Sequence, residues 1–453
     1  MLNKIEAKNV LKIALPAVGE MVLCTMIGVL DTLMIGRYGG QLSVSTVGIS
    51  WEILNAFANI LVIMGICVAI TSIVSRLYGA NKIDLAEEYA TIGFGIGAII
   101  IFTTIIFIFL FAGNLLSLAG CDTKVLLTAK KFIRIVCLGL TFNMFTNIFS
   151  AIQRAYGNTK VPLITYVIII ILNFTLDYSL IFGKFGLPEL GVIGAAIATI
   201  IAQFCGFLFA LTYSIKKSKI KIRVKYFKNF TGHKLKEILR LSIPASLQEG
   251  AFSISRLCTS FMIMRLGTLA FSANTITGSL ESLSYMPGYG FAVACTSMVG
   301  NRFGAEDYDE AKKYAYNCNI LGLISMISVA SLFVLIPKLL IMLFISPSET
   351  EVIDLGAKCL MVASLQQPGM AISMIYGGAL KGIGDTKTPF KVSLFTGWFI
   401  RLPLTFYFIY IKKASVLYFW WICVIQWIID ALLIFIAYKR RFNTLPKSRC
   451  KNI

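Results

Sequence analysis

Histidine and charged residues are scarce in this sequence. Its 453 residues include one histidine, and only 14% are Asp, Glu, Lys or Arg, whereas soluble domains carry about 25% charged residues. Apolar residues make up 57% of the chain, and its mean hydropathy is +0.80. Because one membrane span needs about 20 apolar residues, this composition supplies roughly a dozen spans. The composition therefore excludes a soluble enzyme.

Motifs of catalytic and redox chemistry are missing as well. The eleven cysteines form no Cys-x-x-Cys pair, which argues against a metal or redox centre. The sequence has no Gly-x4-Gly-Lys-[Ser/Thr] loop for a nucleotide phosphate and no His-Glu-x-x-His motif. The single histidine, His233, lies in a polar stretch outside the apolar runs. We therefore expect no enzyme activity, no cofactor and no bound nucleotide.

The chain instead contains long apolar runs separated by glycine, proline and charge. These runs predict an all-α polytopic membrane fold with twelve transmembrane helices. The predicted spans are Ile13–Gly36, Gly48–Val74, Thr91–Leu118, Phe132–Gln153, Val161–Phe182, Gly191–Ile215, Ile238–Met264, Asn274–Val299, Ala315–Ile345, Gly356–Leu380, Pro389–Ile411 and Val416–Tyr438. The predicted segments are an N-terminal six-helix lobe at 1–215, a basic linker at 216–237, a C-terminal six-helix lobe at 238–438 and a tail at 439–453.

Basic residues are distributed unevenly around these spans. Of the 42 Lys and Arg residues, 29 lie at the termini and the even-numbered connections, 11 at the odd-numbered connections and two inside spans. Since cytoplasmic loops carry an excess of Lys and Arg, both termini and the linker are predicted to be cytoplasmic. We expect a multi-pass protein of the plasma or inner membrane.

The stretch Lys216–Arg240 holds ten of these basic residues and one acid, Glu237. It is interpreted as a topology anchor beside anionic lipid, with binding of a partner as the alternative. A nucleic-acid surface would need basic residues clustered on a folded face. Here they sit in short loops between apolar runs, so the net charge of +20 indicates no nucleic-acid partner.

The two halves of the chain share three short patterns in the same order. Pro16 with Met34-Ile35-x-Arg37 recurs from Pro244 at an offset of 228, and Gly79-Ala80-x5-Ala86 recurs from Gly304 at an offset of 225. Gly157-x-Thr-Lys-x-Pro162 recurs from Gly384 at an offset of 227. Collinear matches at a nearly constant offset indicate duplication of a unit. Since six helices per unit is an even number, the two repeats are predicted to be parallel, as in one class of secondary transporter.

Several of these motifs resemble the multidrug and toxic compound extrusion (MATE) family. The resemblance rests on Leu15-Pro16-Ala17 through Asp31-Thr-Leu-Met-Ile-Gly36, on the paired Gly-[Asn/Asp]-Thr-Lys-x-Pro turns, and on Asn173-x3-Asp177-x3-Ile-Phe-Gly183 followed by Leu190-Gly-Val-x-Gly-Ala-Ala-x-Ala-Thr199. It covers essentially the whole chain. It implies a V-shaped pair of six-helix lobes that exports organic cations and other toxic small molecules against inward proton or sodium flow.

Acidic residues inside predicted spans are the strongest candidates for function, because charge in the hydrocarbon core is costly. At about 1.5 Å of rise per residue, Asp31, Asn173, Asp177 and Thr199 lie at similar depths. Their oxygen atoms suit a small cation, and two close carboxylates would let one of them keep a proton near neutral pH. The resemblance implies a proton or sodium site at these four residues, with Asn147 as a further position. The alternative is that Asp31 and Asp177 only cross-link helices.

Other polar residues in the spans are candidates for contact with substrate. Glu20 lies eleven residues before Asp31, on the same helix face. Glu281 lies in the second half about where Glu52 lies in the first. The remaining predicted cavity residues are Tyr285 and Tyr289.

Buried charges in the second half predict two further pairs. Glu249 and Arg256 lie seven residues apart on one helix face, so we expect them to neutralise each other. Arg401 and Asp430 are predicted to pair between two helices. The predicted span at Gly356–Leu380 carries no acid, so the sequence leaves a second cation site in this half undecided.

Two transport functions are compatible with such a chain, and an intramembrane enzyme is disfavoured. The favoured one is a monomeric antiporter that exports cationic, amphipathic molecules by alternating access of two lobes within the lipid bilayer. The alternative is a lipid-linked oligosaccharide flippase of the same wider superfamily, which would call for extra helices or a strongly basic cavity. An intramembrane enzyme would depend on an aspartyl pair, since no span contains histidine.

Overall fold

The computed structural model describes residues 4–54, 64–118 and 123–446, and their regular secondary structure is helical, as predicted. In the N-terminal half the helices are α1 Lys4–Leu54, α2 Met64–Gly79, α3 Ile83–Leu118, α4 Thr123–Ala155, α5 Lys160–Phe182 and α6 Val192–Lys216. A short 3-10 helix follows at Val224–Asn229. Long uninterrupted apolar sequence favours helix here because only helices and closed barrels satisfy the backbone inside a membrane.

The second half continues the helical pattern with more interruptions. Its helices are α7 Gly232–Met264, α8 Thr268–Gly304, α9 Tyr308–Leu335, α10 Pro337–Met342, α11 Thr350–Ser364, α12 Gln367–Gly382, α13 Lys387–Phe395, α14 Leu402–Thr405 and α15 Leu417–Asn443. Two π-helical segments, Thr396–Arg401 and Phe406–Ile411, join α13 to α14 and extend α14. Eight helices of the described chain are individually long and apolar enough to cross a membrane.

Helix boundaries differ from the predicted ones at three places. The first two predicted spans are not separated near Gly36, because α1 runs without interruption from Lys4 to Leu54. The rest of the predicted second span falls partly on 55–63, outside the described residues. The predicted ninth and tenth spans are each divided, at Pro337 and before Pro368, where each proline lies in the first turn of the following helix. Proline has no N–H to donate, so it starts a helix more readily than it continues one.

The chain forms two compact units, and their boundaries fall inside helices. One unit is Gly19–Ser246, and the other comprises the residues from Leu247 onward together with the N-terminal residues up to Val18. The largest apolar core of the first unit is contributed chiefly by α2, α3 and α4. In the second unit, Val10 and Ala14 of α1 pack into a core formed with α8, α9, α12 and α15. The first turns of α1 therefore belong to the second unit.

The basic linker is bound to the start of α3 within the Gly19–Ser246 unit. Arg223 Nε lies 2.6 Å from Glu87 Oε2, and the Tyr226 hydroxyl donates to Asp84 at 3.2 Å. Lys234 pairs with Glu88. Because the acidic first turns of α3 attract the basic linker and also favour its positive helix N-terminus, this polar stretch has a defined path.

Candidate functional site

The first candidate site lies in the Gly19–Ser246 unit, where α1, α5 and α6 meet. Asp31, Asn173, Asp177 and Thr199 are all buried, with at most 6% of any of these residues exposed. Asp31 lies close enough to Asn173 and Asp177 to interact with both, and Asn173 Nδ2 donates to Thr199 Oγ1 at 3.5 Å. The structure therefore brings together the four residues that the sequence singled out.

Close packing of α5 on α6 positions two sides of this site. A Cβ on Gly194 would lie 2.5 Å from the carbonyl oxygen of Leu180, and one on Gly206 would lie 2.4 Å from Ile169 Cγ1. Only glycine permits this approach without displacing the neighbouring helix. Ile27 of α1 packs in the same cluster as Ile169. Asp31 stands one turn beyond Ile27, and Asn173 one turn beyond Ile169, so these contacts set the positions of Asp31 and Asn173.

The chemistry of this site follows from its unpaired oxygens. Asp31 Oδ1, both carboxylate oxygens of Asp177 and Asn173 Oδ1 are buried and accept no hydrogen bond from a protein donor. Two carboxylates in contact cannot both remain ionised in a buried site without a proton or a cation between them. Carboxylate, amide and hydroxyl oxygens are the ligands of hard cations. The arrangement can thus hold one proton or one small cation.

The sequence suggested Glu20 as a residue that contacts substrate, but in the structure it forms a buried ion pair. The Arg154 guanidinium of α4 donates to Glu20 Oε1, with Nη1 2.5 Å from the oxygen, and both side chains are almost fully buried. Cys24 and Tyr166 lie beside this pair. Sequence reasoning missed Arg154 because the predicted span ended one residue earlier, at Gln153. An arginine at a span end next to apolar residues was the available signal.

Asn147 belongs to a separate polar network on α4. Its Nδ2 donates to Asn143 Oδ1 at 3.0 Å, and the Tyr166 hydroxyl donates to its Oδ1 at 3.4 Å. Asn143 in turn donates to Gln203 of α6. Its described contacts therefore connect it with the surroundings of Glu20 rather than with the acid pair.

A second polar region lies inside the other unit, around Glu281 of α8. Gln366 Nε2 donates to Glu281 Oε1 at 2.8 Å, and Arg256 and Arg401 lie close enough to act on the charge of Glu281. The rings of Tyr285 and Tyr289 stack with centroids 6.0 Å apart and an interplanar angle of 22°. Three predicted cavity residues are thus near one another. The fourth candidate on this list, Glu52, has a side chain outside the described residues.

The two predicted charge pairs of this unit are not formed. Asp430 accepts hydrogen bonds from Ser373 and Thr396, and Arg401 lies over the rings of Phe252 and Phe419. Glu249 is acted on by Lys381 rather than by Arg256. The prediction of an Arg401–Asp430 pair is wrong because two nearby hydroxyls, which sequence reasoning did not weigh, occupy both oxygens of Asp430.

Among the residues described, no group of three or more His, Cys, Asp or Glu side chains is placed to hold a metal ion.

Comparison with known proteins identifies the family of this chain. The MatE family model matches the chain twice, over residues 16–179 and 244–407. The two matches begin 228 positions apart, which confirms the predicted duplication. Together they cover more than half of the chain.

Individual relatives cover nearly the whole chain. A probable multidrug resistance protein NorM of Thermotoga maritima is 30% identical over 426 residues, covering 91% of this chain and 88% of that protein. The multidrug resistance protein MdtK of Photorhabdus laumondii is 26% identical over 405 residues, covering 88% and 86%.

Solved structures share the fold at lower sequence identity. An outward-facing multidrug resistance MATE transporter of the MOP superfamily has a TM-score of 0.90 at 20% identity, covering 98% of this chain and 97% of that one. A MOP superfamily transporter from Pyrococcus furiosus also has a TM-score of 0.90 at 20% identity, with coverage of 97% and 96%. These similarities confirm the predicted all-helical, two-repeat membrane fold.

Proposed function

Because the chain belongs to the MatE family of membrane transporters, we propose that it is a secondary antiporter that exports cationic, amphipathic molecules. Export is driven by inward flow of protons or sodium ions through alternating access of the two lobes. Its relatives include multidrug resistance proteins, which supports a small-molecule substrate. Neither a nucleotide nor a cofactor takes part.

The contact between Asp31 and Asp177 carries this proposal. Two buried acids in contact need one positive charge, which a proton or a sodium ion supplies. A coupling ion drives transport only if it binds the access states with different affinity. A site whose ligands come from α1, α5 and α6 is sensitive to any shift between those helices, so occupancy and conformation are linked.

The region around Glu281 supports the substrate side of the proposal. Glu281 supplies a partly buried carboxylate, and the stacked rings of Tyr285 and Tyr289 supply aromatic faces. Organic cations are attracted both to carboxylates and to aromatic faces. Glu20 forms a direct ion pair with Arg154, whereas Glu281, although Arg256 and Arg401 act on its charge, forms no ion pair among the described residues. We therefore assign the main attraction for cationic substrate to Glu281 and retain Glu20 and Glu52 as lining residues.

We propose that the protein spans the plasma or inner membrane as a monomer with cytoplasmic termini. In this arrangement 1–215 and 238–438 are the two lobes, 216–237 is the cytoplasmic linker and 439–453 is the cytoplasmic tail. The bias of Lys and Arg toward the termini and even-numbered connections supports this orientation.

Transport by the purified protein tests the proposal. In proteoliposomes loaded with a fluorescent organic cation, we expect movement of the cation under an imposed proton or sodium gradient and none without a gradient. Movement of a lipid-linked oligosaccharide with no response to either gradient would favour the flippase instead. Comparing the two gradients in the same preparation identifies the coupling ion.

A further inference from the structure

Asp430 is an acid at the centre of a membrane-spanning helix, and it has no role in the proposed function. It lies thirteen residues after Leu417 and thirteen before Asn443 in α15, which places it about 20 Å from either end of the helix. It is only 1% exposed. Acids at this depth are expensive and persist when they are paired, protonated or bound to a cation.

No basic side chain pairs with Asp430 among the described residues. Of the charged groups on elements packed against α15, Arg401 lies over two aromatic rings and Lys381 acts on Glu249. The other titratable groups on these elements and on α15 itself form no described ion pair or hydrogen bond with Asp430; they are Glu351, Asp354, Lys358, Cys359, Tyr376, Lys387, Lys391, Tyr407, Tyr410, Tyr418, Cys423, Tyr438, Lys439, Arg440 and Arg441. The same holds for Glu249, Arg256 and Cys258 of α7, which contacts α15 through Phe252 and Trp427. Among the described residues, the charge of Asp430 therefore has no compensating basic partner.

Two hydroxyl groups bind the carboxyl of Asp430 instead. Ser373 of α12 donates to Oδ1, and Thr396 Oγ1 donates to Oδ2 at 2.6 Å. A hydroxyl can donate to a carboxylate or accept from a carboxylic acid. Thr396 also has a second acceptor, the carbonyl oxygen of Ser393 at 3.4 Å. A proton on Oδ2 can thus donate to Thr396 Oγ1 while Thr396 turns its own proton toward Ser393.

The local backbone around this cluster is unusual as well. Thr396 begins the π-helical segment Thr396–Arg401, and π-helical turns occur frequently at functional sites. On the opposite side, a Cβ on Gly369 would lie 2.9 Å from the carbonyl oxygen of Trp427, so α12 and α15 approach closely just before Ser373 and Asp430. The carboxyl is held between two defined donors.

The equivalent position of the first repeat is polar but cannot titrate. At the offset of 227 found for the Gly-x-Thr-Lys-x-Pro turns, Asp430 corresponds to Gln203, which accepts a hydrogen bond from Asn143. A polar group at this place is thus common to both repeats, whereas an acid is present only in the second.

From this geometry we propose that Asp430, Ser373 and Thr396 form a proton-binding site in the C-terminal unit, beyond the acid pair used by the proposed function. The uncompensated carboxyl takes up the proton because an ionised acid at this depth has no partner charge. The two hydroxyls stabilise both the protonated and the ionised form.

Infrared difference spectroscopy of the purified protein in lipid tests the proposal without substrate or gradient. Subtracting the spectrum of Asp430→Asn from that of the wild type at neutral pH is expected to show the carbonyl stretching band of a protonated carboxylic acid, and this band should disappear as the pH is raised. Asp354→Asn is the matched control, because Asp354 is exposed and paired with Lys338, so its removal should subtract only carboxylate bands.

Thr396→Val keeps the acid and removes one of its hydrogen bonds, so the acid band should move in frequency. This variant carries the test if Asp430→Asn fails to fold. Loss of carboxylate intensity alone in Asp430→Asn, or an unmoved acid band in Thr396→Val, would overturn the proposal. Since no transport is measured, failure here is distinct from failure of gradient-driven export.

Discussion

The guanidinium of Arg154 lies 2.5 Å from the carboxylate of Glu20, and this contact joins α4 to α1 inside the Gly19–Ser246 unit. Both residues are buried, with 6% of Arg154 and none of Glu20 exposed. Removing one partner of such a pair leaves a buried charge without compensation. The pair therefore fixes the position of α1 about three helical turns before Asp31.

Arg154→Ala should destabilise the protein strongly. We expect the free energy of unfolding in detergent to fall by about 3–5 kcal/mol, the usual result of breaking a buried pair. The control is Lys338→Ala, because the Lys338–Asp354 pair is more than half exposed and should cost about 0–1 kcal/mol. Unfolding curves of the purified variants measure both, and equal stability of Arg154→Ala and the wild type would contradict the expectation.

Asp31→Asn should abolish gradient-driven export while the protein remains in the membrane. Asparagine keeps the size and polarity of the side chain but removes the charge that holds a proton or cation against Asp177. Substrate binding should decline much less than transport, because the coupling ion acts on the balance between access states. Efflux and equilibrium substrate binding are measured on the same preparation.

The matched control for this variant is Asp354→Asn, which removes an exposed acid and should export like the wild type. Export by Asp31→Asn at a rate near that of the wild type under the same gradient would refute the coupling role. The acid pair would then serve only to cross-link helices.

A cysteine placed in the linker should be labelled only from the cytoplasm. Lys225→Cys suits this test because Lys225 is exposed and lies in the stretch that the basic-residue bias assigns to the cytoplasm. Lys413→Cys, in the exposed connection before α15, should be labelled from outside. Both are made in a variant whose native cysteines are replaced, and reaction of Lys225→Cys with an impermeant reagent in intact cells would reverse the orientation.

Gly157→Val and Gly384→Val should reduce the amount of folded protein in the membrane. Both glycines have positive φ, 85° and 89°, as the repeated turn motif predicts, and a side chain in left-handed backbone costs about 1–2 kcal/mol. Gly278→Val is the control, since a Cβ at Gly278 meets no atom within 4 Å. Normal yield of the two turn variants with a changed substrate preference would indicate a substrate-contacting role.

The acid pair was accessible from sequence because charged residues stand out within apolar runs. Asp31 and Asp177 are two of very few acids in the first six predicted spans, and helix rise placed them at similar depth. The repeat was accessible for a related reason, since short motifs at one offset need no structural knowledge. Both features depend on local sequence.

Pairings between helices were harder to predict. Which group faces Asp430 depends on the rotation of α12 and of the π-helical segment Thr396–Arg401 about their axes, and a sequence does not encode that rotation locally. Charge attraction favoured Arg401, whereas packing placed the hydroxyls of Ser373 and Thr396 there. The boundary between the first two predicted spans failed because glycine in a helix costs only about 1 kcal/mol and does not force a break.

The close approach of α5 and α6 at Gly194 affects how genetic data on this protein should be interpreted. In a library of random substitutions selected for drug resistance, Gly194 would score as essential together with Asp31 and Asp177, because a Cβ there would lie 2.5 Å from a backbone oxygen. Gly194 itself has no side chain that could bind an ion. A map of intolerant positions would therefore outline helix packing as much as ion chemistry, and only selection combined with surface-expression sorting would separate the two classes.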